Sequence, residues 1–130
     1  MPKLIALISK QPQLSPEAFQ EYYEAKHAPL IRRLLPTIAR YTRSYLPAEP
    51  ESPKRTGLAN FDVLTELWFD TESDLEAFWK RINEPEVIAA IRMDEAHFLI
   101  SDRTVMYRVD EAVTVEGETV EGETEEGETG

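Results

Sequence analysis

His27 is the residue whose type and spacing best suit it to move a proton. On a helix it shares a face with Tyr23, Leu30 and Ile31 and points toward whatever that helix covers. A buried or half-buried imidazole that titrates near neutrality is the usual general acid or base. The same spacing describes a structural histidine hydrogen-bonded in a core, and both readings stand at this stage. Asp62 and Glu66 lie four residues apart on one face of an alternating segment, with Leu64 between them. Glu66, flanked by Leu64 and Trp68, is a charge in apolar company, which makes it a candidate site residue. His97 sits beside Phe98 and is expected to face outward or to cap a helix end. Tyr22, Tyr23, Tyr41 and Tyr45, with Trp68 and Phe69, supply an aromatic interior. A pocket holding one His and one carboxylate among them would suit a hydrophobic carbonyl or phenolic molecule. Core packing accounts for the same residues without a ligand.

Other chemistries are excluded or disfavoured by composition. The chain has no cysteine, so disulfides, thiolate metal sites, redox pairs and a thiol nucleophile are ruled out. No close His-x-x-x-His or Glu-x-x-His spacing supports a metal. Gly57 is the sole glycine before residue 117, which excludes GxGxxG, Walker and GxSxG turns. No cofactor is therefore expected. The net charge of -11 is concentrated at one end. Nine of the 25 acids lie between Asp110 and Glu128 with no base among them, leaving 16 acids against all 14 bases in residues 1–109. A nearly neutral body gives nucleic acid no basic patch to bind. The apolar run Leu4 to Ile8 is too short for a signal-peptide core or a membrane span, so no membrane partner and a cytoplasmic location are expected.

The elements that must position these residues read as two strand–helix–strand units. Lys3 to Ser9 is short and apolar on both faces, which favours a strand. Ser15, Pro16 and Glu17 form a helix start of cap, proline and acid. Phe19, Tyr22, Tyr23, Lys26, His27, Leu30, Ile31 and Leu34 follow at helical spacing, with a kink or break expected near Pro29 and a stop at Pro36. Ile38 to Leu46 alternates as a second strand, and residues 47–60 form a long Pro-rich loop. Phe61 to Phe69 is a third strand. Thr71 or Ser73 caps a second helix with Leu75, Phe78, Trp79 and Ile82 on its buried stripe. Pro85 opens a further helical turn or two burying Val87, Ile88, Ile91 and Phe98, and Thr104 to Val109 closes as a fourth strand. The order is a ferredoxin-like βαββαβ α+β fold, an antiparallel sheet with helices on one face.

Such a sheet should be polar on its second face, yet the first, third and fourth strands carry large residues on both. A second copy is the natural cover, giving a homodimer through sheet-to-sheet packing. Residues 110–130 are different in kind. They contain the pentads Val115–Thr119, Val120–Thr124 and Glu125–Thr129, which lack the apolar bulk to offset ordering, so a disordered acidic tail is expected.

Several local patterns together resemble the EthD-domain family. Leu14-Ser15-Pro16-Glu17-Ala18-Phe19, Tyr22-Tyr23-Glu24, His27-Ala28-Pro29-Leu30, Leu35-Pro36 and Arg40-Tyr41 resemble its first half. Phe61-Asp62, Glu66-Leu67-Trp68-Phe69-Asp70 and Asp94-Glu95-Ala96-His97-Phe98 resemble its second. The resemblance runs over residues 3–109 and implies a dimeric α+β barrel within a 1–109 domain. It carries the family's His-x-Pro position to His27 and its third-strand positions to Asp62 and Glu66. The implied function is a small cofactor-independent enzyme of lyase, isomerase or cyclase type. In it His27 would be the acid/base, Asp62 or Glu66 would orient the imidazole, and Tyr23, Tyr41 and Trp68 would hold a hydrophobic ligand. The alternatives it implies are a non-catalytic accessory dimer of a cytochrome P450-type oxidoreductase system and an EthD-type oxidoreductase.

Overall fold

The computed structural model describes residues 1–47 and 60–115. Most of the Pro-rich loop and of the pentad tail lies outside the described residues. β1 (Lys3–Ile8) leads to a helical layer of three joined pieces: α1 (Pro16–Tyr22), a π-helical turn (Tyr23–His27) and α2 (Ala28–Leu34). β2 (Arg40–Tyr45) and β3 (Val63–Trp68) follow, then α3 (Glu72–Ile82), α4 (Pro85–Glu95) and β4 (Val105–Val109). The four strands form one open, wholly antiparallel sheet in the order β2-β3-β1-β4, the ferredoxin-like arrangement.

The helix starts follow their sequence signals. Ser15 Oγ accepts from the Ala18 N–H at 3.0 Å, with Pro16 in the first turn, where its missing N–H costs nothing. Thr71 Oγ1 caps α3 in the same way through Asp74 N–H. The break expected near Pro29 takes a specific form. In the π-turn the Ala28 N–H reaches back five residues to the Tyr23 carbonyl. Pro29 has no N–H to continue the ladder, and the wider turn absorbs that defect. The extra residue shifts the buried stripe, so the adjacent His27 and Ala28 are both buried while Lys26, expected inside, is exposed.

Strand register decides which side chains share a face. Leu4 aligns with Leu67 and Tyr41, Ala6 with Thr65 and Arg43, and Ile8 with Val63 and Tyr45, all on the side the helices cover. Ile31, Leu35, Leu75, Phe78, Val87 and Ile91 pack on one end of that side. Phe19, Tyr23, Ala28, Phe98 and Leu99 pack on the other. Two helical placements differ from the sequence reading. Trp79 is 40% exposed, lying just off the stripe of Leu75 and Phe78, and α4 runs three turns.

The second face carries Lys3, Ile5, Leu7, Leu64, Glu66, Trp68, Val105 and Tyr107, and no helix among the described residues covers it. Tyr107 is 54% exposed there.

Candidate functional site

His27 ends the π-turn, 3% exposed, under the end of the sheet where Phe98 also packs. Its ring lies 4.9 Å from the Phe98 ring and 5.4 Å from the Tyr23 ring. Its Nδ1 is 2.8 Å from Asp94 Oδ2. The other Asp94 oxygen accepts the Tyr22 hydroxyl at 2.7 Å. Tyr22 in turn stacks on Phe98 and on His97, which is exposed. Burial first, then the hydrogen bond and charge of Asp94, pushes the Tyr22 phenol up to about 12. An ionised carboxylate only accepts, so His27 donates through Nδ1–H, and the neutral form of a ring held in that way has its lone pair on Nε2. That is the arrangement of a base with its orienting acid.

A second polar group begins at Tyr23, one turn before His27. Its hydroxyl lies 2.9 Å from Thr65 Oγ1 and 3.1 Å from the Tyr41 hydroxyl. Burial pushes the Tyr23 phenol upward, and burial with the neighbouring Tyr23 pushes Tyr41 well above the usual range. The Arg43 guanidinium stacks over Tyr41 at 4.6 Å and is held by Glu24, to which Nε donates at 2.9 Å and Nη2 at 2.8 Å. Tyr45 donates to the same carboxylate at 2.5 Å. Arg43 above all holds Glu24 below the usual carboxylate range.

Between α2 and β2 lies a half-open hollow of about 660 Å³. Its lining mixes apolar side chains (Ala28, Pro29, Leu35, Ile38) with Arg32, Arg40, Arg43 and Glu24, and Tyr41 lines it. A second hollow, about 630 Å³, lies beside Trp68 and the chain start. His27 lines neither.

The residues expected to form one site divide between the two sheet faces. His27, Tyr23 and Tyr41 gather on the helix side. Glu66 and Trp68 project from the open face, so neither reaches the imidazole. Glu66 instead binds Lys3 at 2.8 Å and accepts from Thr42 at 3.3 Å. Trp68 lies between two cations, Lys3 at 4.5 Å and Arg40 at 4.9 Å. Asp62 is spent on the Lys10 N–H at 2.8 Å. Asp94 takes the orienting place expected of Asp62 or Glu66. A signal for it exists: Val87, Ile91, Asp94 and Phe98 follow helical spacing, which sets a carboxylate on the buried stripe of α4. Among the described residues no three His, Asp or Glu side chains cluster as a metal ion requires. No helix among them is long and apolar enough to cross a membrane.

The fold and the buried His–Asp pair define a small ferredoxin-like α+β domain with polar groups set between helices and sheet. The EthD domain family model matches residues 11–102, and the chain belongs to that family. No curated protein matches it by sequence. Among solved structures it is similar to an EthD family protein from Bacillus halodurans (TM-score 0.58, 21% identity, covering 86% of this chain and 100% of that one). It is also similar to a dimeric ferredoxin-like protein of unknown function from Thermobifida fusca (0.50, 16%, 83% and 88%). A third is SnoaB, a cofactor-independent oxygenase from Streptomyces nogalater (0.50, 13%, 89% and 97%). At these identities the likeness is one of fold.

Proposed function

We propose that the protein is a homodimeric enzyme that moves protons on a hydrophobic carbonyl or phenolic molecule without a bound cofactor. The observation that carries this is the His27–Asp94 contact inside an aromatic shell. Orienting a buried imidazole through Nδ1 presents Nε2 as the proton acceptor. In lyase, isomerase and cyclase steps of this kind, removing a proton from the substrate and returning one drives the bond that breaks, forms or shifts, and the electron count of the substrate is unchanged. The open sheet face supports the dimer. Ile5, Leu7, Leu64, Val105 and Tyr107 make an apolar surface that a second copy would remove from water. The dimeric Thermobifida fusca neighbour and the cofactor-independent SnoaB are consistent with both parts of the reading.

A non-catalytic accessory dimer is the second reading, favoured by one observation: His27 lines neither hollow. Turnover separates the two. The purified protein is assayed against a panel of phenolic and carbonyl compounds. His27→Gln and Asp94→Asn are each expected to lose about 100-fold or more in rate while remaining folded. Turnover that survives both substitutions returns the pair to a structural role.

A further inference from the structure

Thr65, Tyr23 and Tyr41 form a row of three hydroxyls joined by two hydrogen bonds. Each hydroxyl carries one proton, so two bonds leave one proton over. Where it sits follows from burial. Thr65 is 2% exposed on β3 and its Oγ1 touches only Tyr23 among the described residues. Placing the spare proton there, or on the buried Tyr23, strands a donor away from water at a real cost. With Thr65 donating to Tyr23 and Tyr23 to Tyr41, the spare proton falls to Tyr41. That is the one member of the row that lines the α2–β2 hollow.

The hollow has the size of a small-molecule site, and Ala28, Pro29, Leu35 and Ile38 are the apolar part of its lining. On its rim Glu24 neutralises Arg43, Arg40 turns its guanidinium to Trp68 on the open face, and Arg32 makes no ion pair among the described residues. The Arg43 charge stacked on the Tyr41 ring opposes, but does not overcome, the upward push of burial on the phenol, so its proton stays in place to be donated as a hydrogen bond.

From this arrangement we infer that the α2–β2 hollow binds a flat apolar molecule through an anionic or carbonyl oxygen, which accepts the Tyr41 hydroxyl proton. Thr65 and Tyr23 are positioning residues that fix the direction of the row. The inference goes beyond the function proposed above and does not rest on catalysis at His27, which does not line this hollow.

Ligand-observed NMR on the full chain tests it with 2-naphthoate, 2-acetylnaphthalene and 2-ethylnaphthalene, which share one ring system. The oxygen-bearing probes are expected to bind more tightly than 2-ethylnaphthalene. Tyr41→Phe should weaken them about tenfold and leave 2-ethylnaphthalene unchanged. Thr65→Val should reproduce part of that loss. A preference for 2-naphthoate that Arg32→Gln removes assigns the anion; equal binding of both oxygen-bearing probes assigns the neutral carbonyl. The inference is overturned if no probe binds below millimolar concentration, if the oxygen confers no advantage, or if Tyr41→Phe affects all three alike. His27→Gln should leave every Kd unchanged. Oxygen-selective binding together with a fully active His27→Gln variant would sink the catalytic reading alone. His27-dependent turnover without Tyr41-dependent binding would sink this one alone.

Discussion

Asp94→Ala is the substitution that interrogates the His27 site most directly. Asp94 accepts from two donors, His27 Nδ1 at 2.8 Å and the Tyr22 hydroxyl at 2.7 Å. The two losses differ because the donors differ in burial. His27 is 3% exposed, so its Nδ1–H cannot turn to water, and leaving it unpaired costs about 1–3 kcal/mol. Tyr22 is only half-buried and can rehydrate, so its hydrogen bond contributes about 0.5–1.5 kcal/mol. The sum is about 1.5–4.5 kcal/mol, which lowers Tm by about 7–21 °C in a domain of about 100 residues. Urea unfolding at fixed protein concentration reads the loss as a lower midpoint with an unchanged slope. Imidazole ¹⁵N NMR reads the geometry independently. In the wild type the neutral His27 ring should carry its proton on Nδ1, and Asp94→Ala should release that preference. A loss under about 0.5 kcal/mol, or a wild-type ring protonated on Nε2, would refute the reasoning.

The pH limbs give two further checks. Tyr22 is raised to about 12 in the folded protein against an ordinary value of 10.0, so the protonated phenol is favoured by folding. Its contribution is complete below pH 10 and is lost as pH rises toward 12; Tyr22, Tyr23, Tyr41 and Tyr45 are all raised, so ultraviolet titration should show several late phenols, of which Tyr22→Phe removes one while flattening the alkaline fall in Tm. Glu24 is lowered from 4.5 by Arg43, so its contribution is present above pH 4.5 and disappears as the medium becomes more acid. Glu24→Gln should therefore remove part of the acid dependence of Tm while leaving Tm at pH 2 nearly unchanged. On the open face, Leu64→Lys should convert a dimer to a monomer in sedimentation velocity; an unchanged sedimentation coefficient would show that this face does not join two copies.

Local rules carried most of the fold. Ser15-Pro16 and Thr71 fixed helix starts because caps act within one turn, and alternation along Val63–Trp68 fixed the faces of β3. The site was legible only in part. Tyr23 and His27 are both buried on the helix side, as their spacing implied, and Tyr41 meets Tyr23 from β2, which no spacing showed. Their partners are long-range: Asp94 is 67 residues from His27, and Thr65 is 42 from Tyr23. No local pattern pairs residues at that separation. The π-turn was hidden for a different reason. Helical spacing assumes an even 3.6-residue repeat, and one five-residue turn exposes Lys26 while burying Ala28 beside His27.

The strict alternation of β3 also determines how function can be divided in so small a domain. Thr65 points toward the helices and anchors the hydroxyl row, while Glu66, the next residue, points to the open face and holds Lys3. One sheet thus separates the polar groups beneath the helices from the uncovered face proposed to meet a second copy. A single-residue slip of β3 would exchange the two sets, setting Glu66 against Tyr23 and Thr65 on the open face. Register is therefore the quantity on which site and assembly jointly depend. The apolar side chains that secure it, Val63 and Leu67 beneath the helices, pack in the two different core clusters. Removing either should loosen one end of the sheet before the other. Val63→Ala should raise amide exchange first around Tyr23 and Phe98, and Leu67→Ala first around Leu35 and Phe78. Equal effects of the two substitutions at both ends would show that the clusters open as one unit.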